Sequence, residues 1–510
     1  CPGAPTNVRL EAPATPRKAR LAMAVSRRAA PRLSAVATRA QRHAPRQPRP
    51  RVSPRCQAAE TAGTAAAPLS EEERRAFIYS GSGAPETLPF ERSRRAGSSV
   101  GAGEPLRVII AGGGLGGLVL AGACHLKGMH VRVIEQAPAY MGYGGPIQVQ
   151  SNALAALEDI SKDLYDKMAE LGTVTADRIS GLRDGITGRW LCEFDTKEPA
   201  VAKGLPLTLA IERPLLQTIL LQSCVPPEFV HNNCRLAGYA EQADGTLVVE
   251  LEDGTALEGD VLVGADGIWS TVRQLIKGAP IDRRGREFAR ENGASYTGYV
   301  CYTAACFHVP KDVDTVSYKV LLGRDKYAGL TDAGNGRYHF WAFIGQDENK
   351  PHPEGMSYKE FLEQEFDGWV DLPAVLKDTR DEDIARRVMY DRKPMLGGWS
   401  KGSVTLLGDA AHAMMPNLGQ GGNMAFEDAR KLADILAGVQ NIQDVPAALK
   451  EYENARIVRC AACQGFSRSG SDVLGEYHKI FIFRPLGELI VKFIQWSQPF
   501  MLRFLYVPEA

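Results

Sequence analysis

The sequence predicts an α/β chain in which a Rossmann-like dinucleotide-binding domain is interleaved with a mostly antiparallel substrate-domain sheet and followed by C-terminal helices. Three observations predict it. Between Leu106 and Glu135 a strand, a glycine turn, a helix, a second strand and an acid follow one another, the order of a dinucleotide fingerprint. Two more strand-to-turn-to-helix elements follow far along the chain, at Asp266-Gly267 and at Gly408-Asp409. Between them the pattern changes to alternating strands rich in aromatic residues.

The chain has 510 residues, 44% of them hydrophobic and 24% charged, enough for a large core and two domains. Its net charge of zero hides an asymmetry. Residues 1–59 hold thirteen Lys and Arg against one acid, Glu11, leaving 47 bases against 59 acids in residues 60–510. An acidic body does not neutralise phosphates, so no nucleic-acid partner is expected. Residues 1–59 are Arg-, Ala-, Ser- and Pro-rich and lack the apolar core of a secretory signal, the composition of a disordered organelle transit peptide. Met23 is a candidate start, and Val52–Ala59 a candidate processing region. Residues 60–104 read as an Ala/Gly/Ser/Glu-rich linker.

The first unit then opens. Leu106–Ala111 is a short buried strand, Gly112–Gly117 the turn, Leu118–Lys127 a helix, and His130–Glu135 the next strand. Gly112 allows the tight turn, Gly114 admits a pyrophosphate to the backbone, and Gly117 lets helix and strand pack; Gly116 completes the run. Glu135 is placed to accept ribose hydroxyls. Next, Gly259–Arg273 reads as an apolar strand, an Asp266-Gly267 turn, and a helix opening at Ser270. Val404–Ala429 reads as a strand ending in Gly408-Asp409, whose carboxylate can accept hydrogen bonds from a polyol chain. There Pro416 starts a turn, and Gly419-Gln420-Gly421-Gly422 leads into a helix whose N–H groups and dipole favour negative charge.

The intervening segments read as strands. Arg178–Phe194 is a hairpin turning at Asp184-Gly185, and Ser295–His308 and Arg337–Ile344 alternate with aromatics that pack mainly in the core. The ten cysteines are scattered, and Cys460-Ala-Ala-Cys463 lies in a helical pattern without a thioredoxin-like context. His412 reads as a packing or turn residue, and no metal-ligand spacing is present.

The glycine turn, Asp-Gly and Gly-Asp elements in this order resemble the flavoprotein monooxygenases of the aromatic-hydroxylase type. Gly145–Glu158, Asp177–Trp190, Tyr296–Thr303, Phe366–Trp369 and Tyr390–Pro394 resemble, within that class, the zeaxanthin epoxidase family. The likeness covers roughly residues 105–460. It implies FAD as cofactor, held by Gly112, Gly114, Gly116, Gly117, Glu135, Arg213, Asp266, Gly267, Gly408, Asp409, Pro416, Gly419, Gly421, Gly422 and Asn423. Pro416, Gly419, Gln420 and Gly421 would line the flavin ring, with Asp266 beside the pyrophosphate and the path of the reductant.

The implied domain layout has FAD-binding parts at 105–177, 206–290 and 385–450, substrate-domain parts at 178–205 and 291–384, and helices over 451–510. The implied reaction reduces FAD with NADPH, with ferredoxin assistance in plastids. O₂ adds at the flavin C4a, and the distal oxygen passes to the 5,6 double bond of a xanthophyll β-ionone ring. An isolated alkene needs no base to ionise it, so no catalytic residue is required beyond those lining the ring. Two rivals stay open: a flavin hydroxylase acting on a quinone or phenol, and an inactive flavin-bound carotenoid-binding paralogue.

Two departures accompany the resemblance. Gly144 stands where the family usually has Arg before Gly-Pro-Ile-Gln, and the forkhead-associated domain of many members does not follow before Ala510. The resemblance, with the transit-peptide composition, implies a chloroplast location. The Phe-, Leu-, Ile- and Trp-rich run from Ile480 to Val507, carrying Arg484, Lys492 and Arg503, reads as either an interfacial helix on a thylakoid or envelope membrane or a cap on the FAD domain.

Overall fold

A parallel five-stranded sheet carries the motifs, in the order Val404–Leu406, Val261–Gly264, Arg107–Ala111, His130–Ile134 and Val230–His231. The computed structural model describes residues 104–140, 145–288, 291–475, 496–497 and 500–506. The basic segment 1–59, nearly all of the linker, Gly144 and most of the run 480–507 lie outside the described residues. The central strands are continuous apolar runs (Val108, Ile109, Ile110; Val261, Leu262, Val263) that are fully buried, as a parallel sheet covered on both faces requires. Asp260 fixes their register, accepting from Arg107 N at 2.8 Å and from Arg107 Nη2 at 2.6 Å.

The dinucleotide helix runs Leu115–Leu126, three residues earlier than expected. Gly116 and Gly117 therefore lie inside its first turn. The reason is steric: a Cβ on Gly117 would collide with the carbonyl of Gly112, and one on Gly116 would meet Leu407 and Ala425 at 3.0 Å. The missing side chains let this helix cross the helix Gly421–Leu436.

The second layer is a seven-stranded sheet in the order Ala385–Arg392, Ala294–Phe307, Arg337–Gly345, Lys326–Gly334, Val316–Leu322, Ile179–Asp184 and Trp190–Phe194. Every pairing is antiparallel except Val316–Leu322 with Ile179–Asp184. The expected hairpin forms, with the chain reversing after Asp184, whose carboxylate accepts from the Ile186 and Thr187 amides. One boundary moves. Ala385–Arg392, expected to open the third FAD-binding part, is the edge strand of this sheet, because it completes the unpaired edge of Ala294–Phe307. One sheet face packs Tyr302, Phe340 and Leu330 on the helices Tyr358–Glu365 and Leu372–Lys377; the other faces a cavity.

Two three-stranded sheets complete the described chain. Pro146–Val149, Leu209–Glu212 and Thr173–Val174 join the layers, and Leu236–Glu241, Leu247–Leu251 and Ala256–Gly259 form a meander. The long C-terminal helix is Val445–Gly475, opening six residues before the expected boundary. Residues 500–506 are also helical.

Candidate functional site

The glycine turn forms between the first strand and its helix. Gly112 has φ +113°, and a Cβ there would sit 2.6 Å from the Ala265 carbonyl carbon, so only glycine serves. A Cβ on Gly114 would meet nothing within 4 Å: this residue faces open space at the helix N-terminus, where an anion is stabilised. Glu135 Oε2 accepts from Gly113 N at 2.7 Å and Oε1 from Ala137 N at 2.7 Å. The acid braces the turn it faces and keeps lone pairs for a second partner. The Tyr140 hydroxyl, beside Gly113 and Glu135, is buried without a hydrogen-bond partner. The sequence carried no signal for it, since it follows the strand by an irregular loop.

Asp266 ends the neighbouring strand. Its Oδ2 accepts from Thr271 N at 2.7 Å and Val272 N at 3.2 Å, capping the helix Thr271–Ile276, while Ser270 Oγ accepts from Arg273 N at 2.9 Å. Its Oδ1 is buried and without a partner. Burial raises the pKa of Asp266 against these hydrogen bonds. Gly267 has φ +77° and open space at its Cβ position. Arg273 Nη1 donates to Ala410 O at 2.9 Å and Ala411 O at 3.0 Å, so the Asp-Gly helix holds the Gly-Asp turn. Burial lowers the pKa of Arg273 to about 10.

The Gly-Asp turn has Gly408 at φ +60° and Asp409 at its tip. Asp409 and Arg213, the first residue of the helix Arg213–Ser223, are exposed only into a common cavity and ringed by protein elsewhere. Burial raises the Asp409 pKa, with His412 and Arg213 opposing. Burial lowers that of Arg213, with Asp409 opposing and Arg387 adding to the fall. Pro416–Leu418 is a single 3-10 turn, Gly419 is left-handed at φ +64°, and the helix Gly421–Leu436 begins beside Asp409.

The side chains of two residues expected to line the ring or hold the cofactor turn away from the cavity. The Gln420 side chain is fully buried, donating to Gln150 Oε1 and accepting from Asn152 Nδ2 at 3.1 Å. The Asn423 amide is also fully buried: Oδ1 accepts from Gln150 N at 3.1 Å, and Nδ2 donates to Gln148 O at 3.1 Å and Gly419 O at 2.5 Å. These side chains tie the turn to Pro146–Val149 because a polar group buried there must find partners. Pro416, Gly419, Gly421 and Gly422 do line the cavity.

That cavity has a volume of about 2160 Å³. It runs from Asp409, Gly421 and Ile147 along Tyr318, Val320 and Phe343 of the large sheet to Phe500 and Phe504 of the C-terminal helical segment. This exceeds the roughly 300–1,000 Å³ of a pocket for one small ligand. His339 also lines it. Burial, with Arg337 beside it, pushes His339 down to about 3, so the ring is neutral. The Thr303 hydroxyl has one proton and lies 2.8 Å from Phe340 O, which can only accept. The 2.9 Å contact to His339 Nε2 therefore has the imidazole N–H as donor.

Beneath the turn lies a buried ionic network that sequence spacing did not reveal, because its members come from three helices and only the fold brings them together. Glu427 pairs with Arg456 at 2.7 Å and Arg459 at 2.8 Å; Asp428 pairs with Arg456 at 2.8 Å and His412 at 2.6 Å. Arg459 also donates to Phe504 O at 2.5 Å and Leu505 O at 3.0 Å, anchoring the C-terminal segment. His412, Asp428 and Cys460 offer ligand atoms within 4.8 Å of one another, but the guanidinium of Arg456 on Asp428 disfavours a cation there. Cys460 and Cys463 are buried in helical packing as free thiols.

A glycine turn at the carboxyl end of the central strand of a parallel sheet, two acid-bearing turns on adjacent strands and a large apolar cavity under a second sheet define a dinucleotide-binding protein with a separate substrate domain. Residues 105–467 match the model of the FAD binding domain family, and the chain belongs to that family. It is 43% identical over 398 residues to a chloroplastic zeaxanthin epoxidase of Spinacia oleracea, covering 75% of this chain and 56% of the relative. It is 41% identical over 389 residues to that of Arabidopsis thaliana, covering 74% and 56%. The chain thus spans just over half the length of the curated relatives it matches. Among solved structures, Klebsiella pneumoniae HpxO complexed with FAD and uric acid superposes with a TM-score of 0.66 at 23% identity, over 79% of this chain and 97% of that one. A salicylate hydroxylase substrate complex superposes at 0.59 and 21% identity, over 80% and 99%. These likenesses establish the fold.

Proposed function

We propose that this chain is an FAD-dependent monooxygenase that epoxidises the 5,6 double bond of xanthophyll β-ionone rings, converting zeaxanthin to antheraxanthin and then violaxanthin. The observation that carries the reading is the cavity. It begins at Asp409 and the Gly421 helix N-terminus and continues far beyond the space a flavin ring needs, along apolar side chains. The similarity to zeaxanthin epoxidases at 43% identity supports the same substrate class.

The unpartnered groups fit FAD. Gly112, Gly114, Gly116 and Gly117 with the helix N-terminus would take the pyrophosphate, and Glu135 the ribose. Asp266 Oδ1 and Gly267 lie on the adjacent strand end, and Arg213 reaches in from the other side. Asp409 after Gly408 would accept from the ribityl hydroxyls. Pro416, Gly419, Gly421 and Gly422 would face the ring, while Gln420 and Asn423 hold their loop in place. Bound FAD supplies activation of O₂ after reduction by NADPH. The chain contributes orientation, a water-poor apolar wall and the positive end of the Gly421–Leu436 helix.

In this reading the FAD-binding parts are 105–177, 206–290 and the stretch after Arg392 to 450. Residues 178–205 and 291–392 form the substrate domain. The plastid is the location, with ferredoxin and a reductase as further electron donors and a peripheral membrane association. Among the described residues, no helix is long and apolar enough to cross a membrane.

Aerobic incubation of the FAD-loaded protein with zeaxanthin and NADPH, with pigments separated by chromatography, tests the proposal. Antheraxanthin followed by violaxanthin is expected. A hydroxylated quinone or phenol product in place of epoxides would favour a related hydroxylase. Hydrogen peroxide alone, with no epoxide from several xanthophylls, would point to the inactive paralogue.

A further inference from the structure

We infer that Tyr327 is a positioning residue for oxygen transfer: through Asn417 it fixes the turn proposed to line the flavin ring to the wall on which the substrate lies. The inference rests on the function proposed above and adds a joint between its two halves. Tyr327 sits near the start of the strand Lys326–Gly334 in the large sheet, and Asn417 in the 3-10 turn Pro416–Leu418. The Tyr327 hydroxyl donates to Asn417 Oδ1 at 2.8 Å, across 90 residues of sequence. Asn417 Nδ2 donates in turn to Ser467 O at 3.2 Å, in the long helix Val445–Gly475. An amide that accepts at its oxygen and donates at its nitrogen has its orientation set by its partners. Sheet, turn and helix therefore meet at one side chain.

The tyrosine is itself held firmly. It is 2% exposed and stacks on Phe343, its cross-strand partner, with centroids 4.6 Å apart and planes 14° from parallel. Tyr299 packs edge-to-face on the same ring at 5.6 Å. A ring packed this way cannot swing without opening a void in a close-packed wall. Tyr327 and Phe343 both line the cavity, as do Pro416, Asn417 and Gly419. A flat apolar plate on the substrate side is thus bonded, through a hydroxyl, to the turn that carries Pro416 and the left-handed Gly419.

Other fastenings of the turn run to the FAD-binding part. Gln150 Nε2 donates to Leu418 O at 2.7 Å, and Asn423 Nδ2 to Gly419 O at 2.5 Å. Tyr327 ties the same turn to the substrate sheet. Oxygen transfer needs the double bond held closely against the ring, because a displacement of about 1 Å costs about a hundredfold in rate. With the turn bonded to the wall, a polyene lying on Tyr327 and Phe343 and a ring lying on Pro416 and Gly419 share one frame. Without that bond the two electrons of NADPH still reach O₂, but more of it leaves as hydrogen peroxide instead of dividing between epoxide and water.

Tyr327→Phe keeps the stack and removes the hydroxyl. Hydrogen-exchange mass spectrometry of the FAD-loaded protein without substrate should show the turn 413–420 exchanging about fivefold faster in this variant, the effect of one lost hydrogen bond, with the parallel sheet unchanged. Under turnover with zeaxanthin, the share of NADPH ending as hydrogen peroxide should rise about threefold or more, while FAD retention and the KM for zeaxanthin stay near the parent's. Asn417→Ala should show the same two changes, and adding Tyr327→Phe to it should change neither further, since the bond is already broken. An exchange rate or a peroxide share equal to the parent's in Tyr327→Phe would overturn the inference, as would effects of the two substitutions that add. A parent that makes no epoxide counts against the epoxidase reading, and the substrate-free exchange comparison then decides the joint by itself.

Discussion

His412 donates through Nε2 to Asp428 Oδ2 at 2.6 Å, with both side chains fully buried. The same oxygen accepts from Gly408 N at 3.1 Å, so this one carboxylate fixes the turn that presents Asp409. Burial disfavours the Asp428 carboxylate, but His412 and Arg456 outweigh it and bring its pKa to about 2. Asp428→Asn removes a charge that Arg456 and His412 both need. Breaking a buried ion pair from one side destabilises by about 3–5 kcal/mol, and chemical denaturation should show a loss of that size together with poorer FAD retention. A variant as stable as the parent would mean that water replaces the carboxylate.

On the acid side, the pH dependence of this pair has a definite sign. An unfolded aspartate titrates at about 3.9, and the folded Asp428 pKa is depressed to about 2. Its contribution is therefore fully present above about pH 4 and is lost as pH falls toward 2. Melting temperatures followed across that range should fall more steeply in the parent than in Asp428→Asn. Parallel curves would show that other carboxylates dominate the acid transition.

Two glycines in one turn should respond differently to substitution. At Gly114 an added side chain meets nothing within 4 Å, so Gly114→Val should fold and melt close to the parent yet lose FAD, because the valine would occupy the place of the pyrophosphate. At Gly117 an added Cβ meets the Gly112 carbonyl, so Gly117→Ala should lose both FAD and stability. Flavin absorbance after gel filtration and circular-dichroism melting separate the two. A Gly114→Val protein with stoichiometric FAD would refute the assignment of the turn.

Asp409 tests the other end of the cofactor. Asp409→Ala removes a carboxylate that faces the cavity without a hydrogen-bond donor among the described residues. Charged hydrogen bonds contribute about 1.5–3 kcal/mol, so the FAD Kd should rise by about ten- to a hundredfold in a fluorescence titration, with the fold unchanged. An unaltered Kd would place the ribityl chain elsewhere.

What the sequence made legible were features that act locally. The Gly112 turn, the Ser270 cap and the hairpin after Asp184 depend on residues within a few positions of one another, so their spacing carries them. That the Gln420 and Asn423 side chains turn into protein was not legible, because the resemblance marks the loop, not the direction of each side chain. Their burial follows from the packing of Pro146–Val149 against that loop, a contact across more than 250 residues of sequence. The pairing of Glu427 and Asp428 with Arg456 and Arg459 is likewise set by tertiary packing. The pairing of Ala385–Arg392 as an edge strand of the large sheet was hidden for the same reason, since only the free edge of Ala294–Phe307 decides where it pairs.

The C-terminal segment gives the last prediction. A xanthophyll partitions into lipid, so the cavity of an enzyme acting on it should open toward a membrane. Phe500 and Phe504 line the cavity, Trp496 and Phe500 are 67% and 64% exposed, and their rings lie 5.8 Å apart. Arg459 holds the segment 500–506 through the carbonyls of Phe504 and Leu505, so the Phe500 ring projects from an anchored helical segment. Exposed aromatics beside Arg503 are suited to a lipid interface. Trp496→Glu with Phe500→Glu should weaken sedimentation with liposomes of plastid-like lipid and slow turnover of zeaxanthin delivered in vesicles. Both variant and parent should retain FAD, because the substituted rings are exposed and the anchoring carbonyls belong to other residues. If the folded, flavin-loaded double variant pellets with lipid as well as the parent, the segment is a structural lid on the cavity and the enzyme meets its substrate by another face.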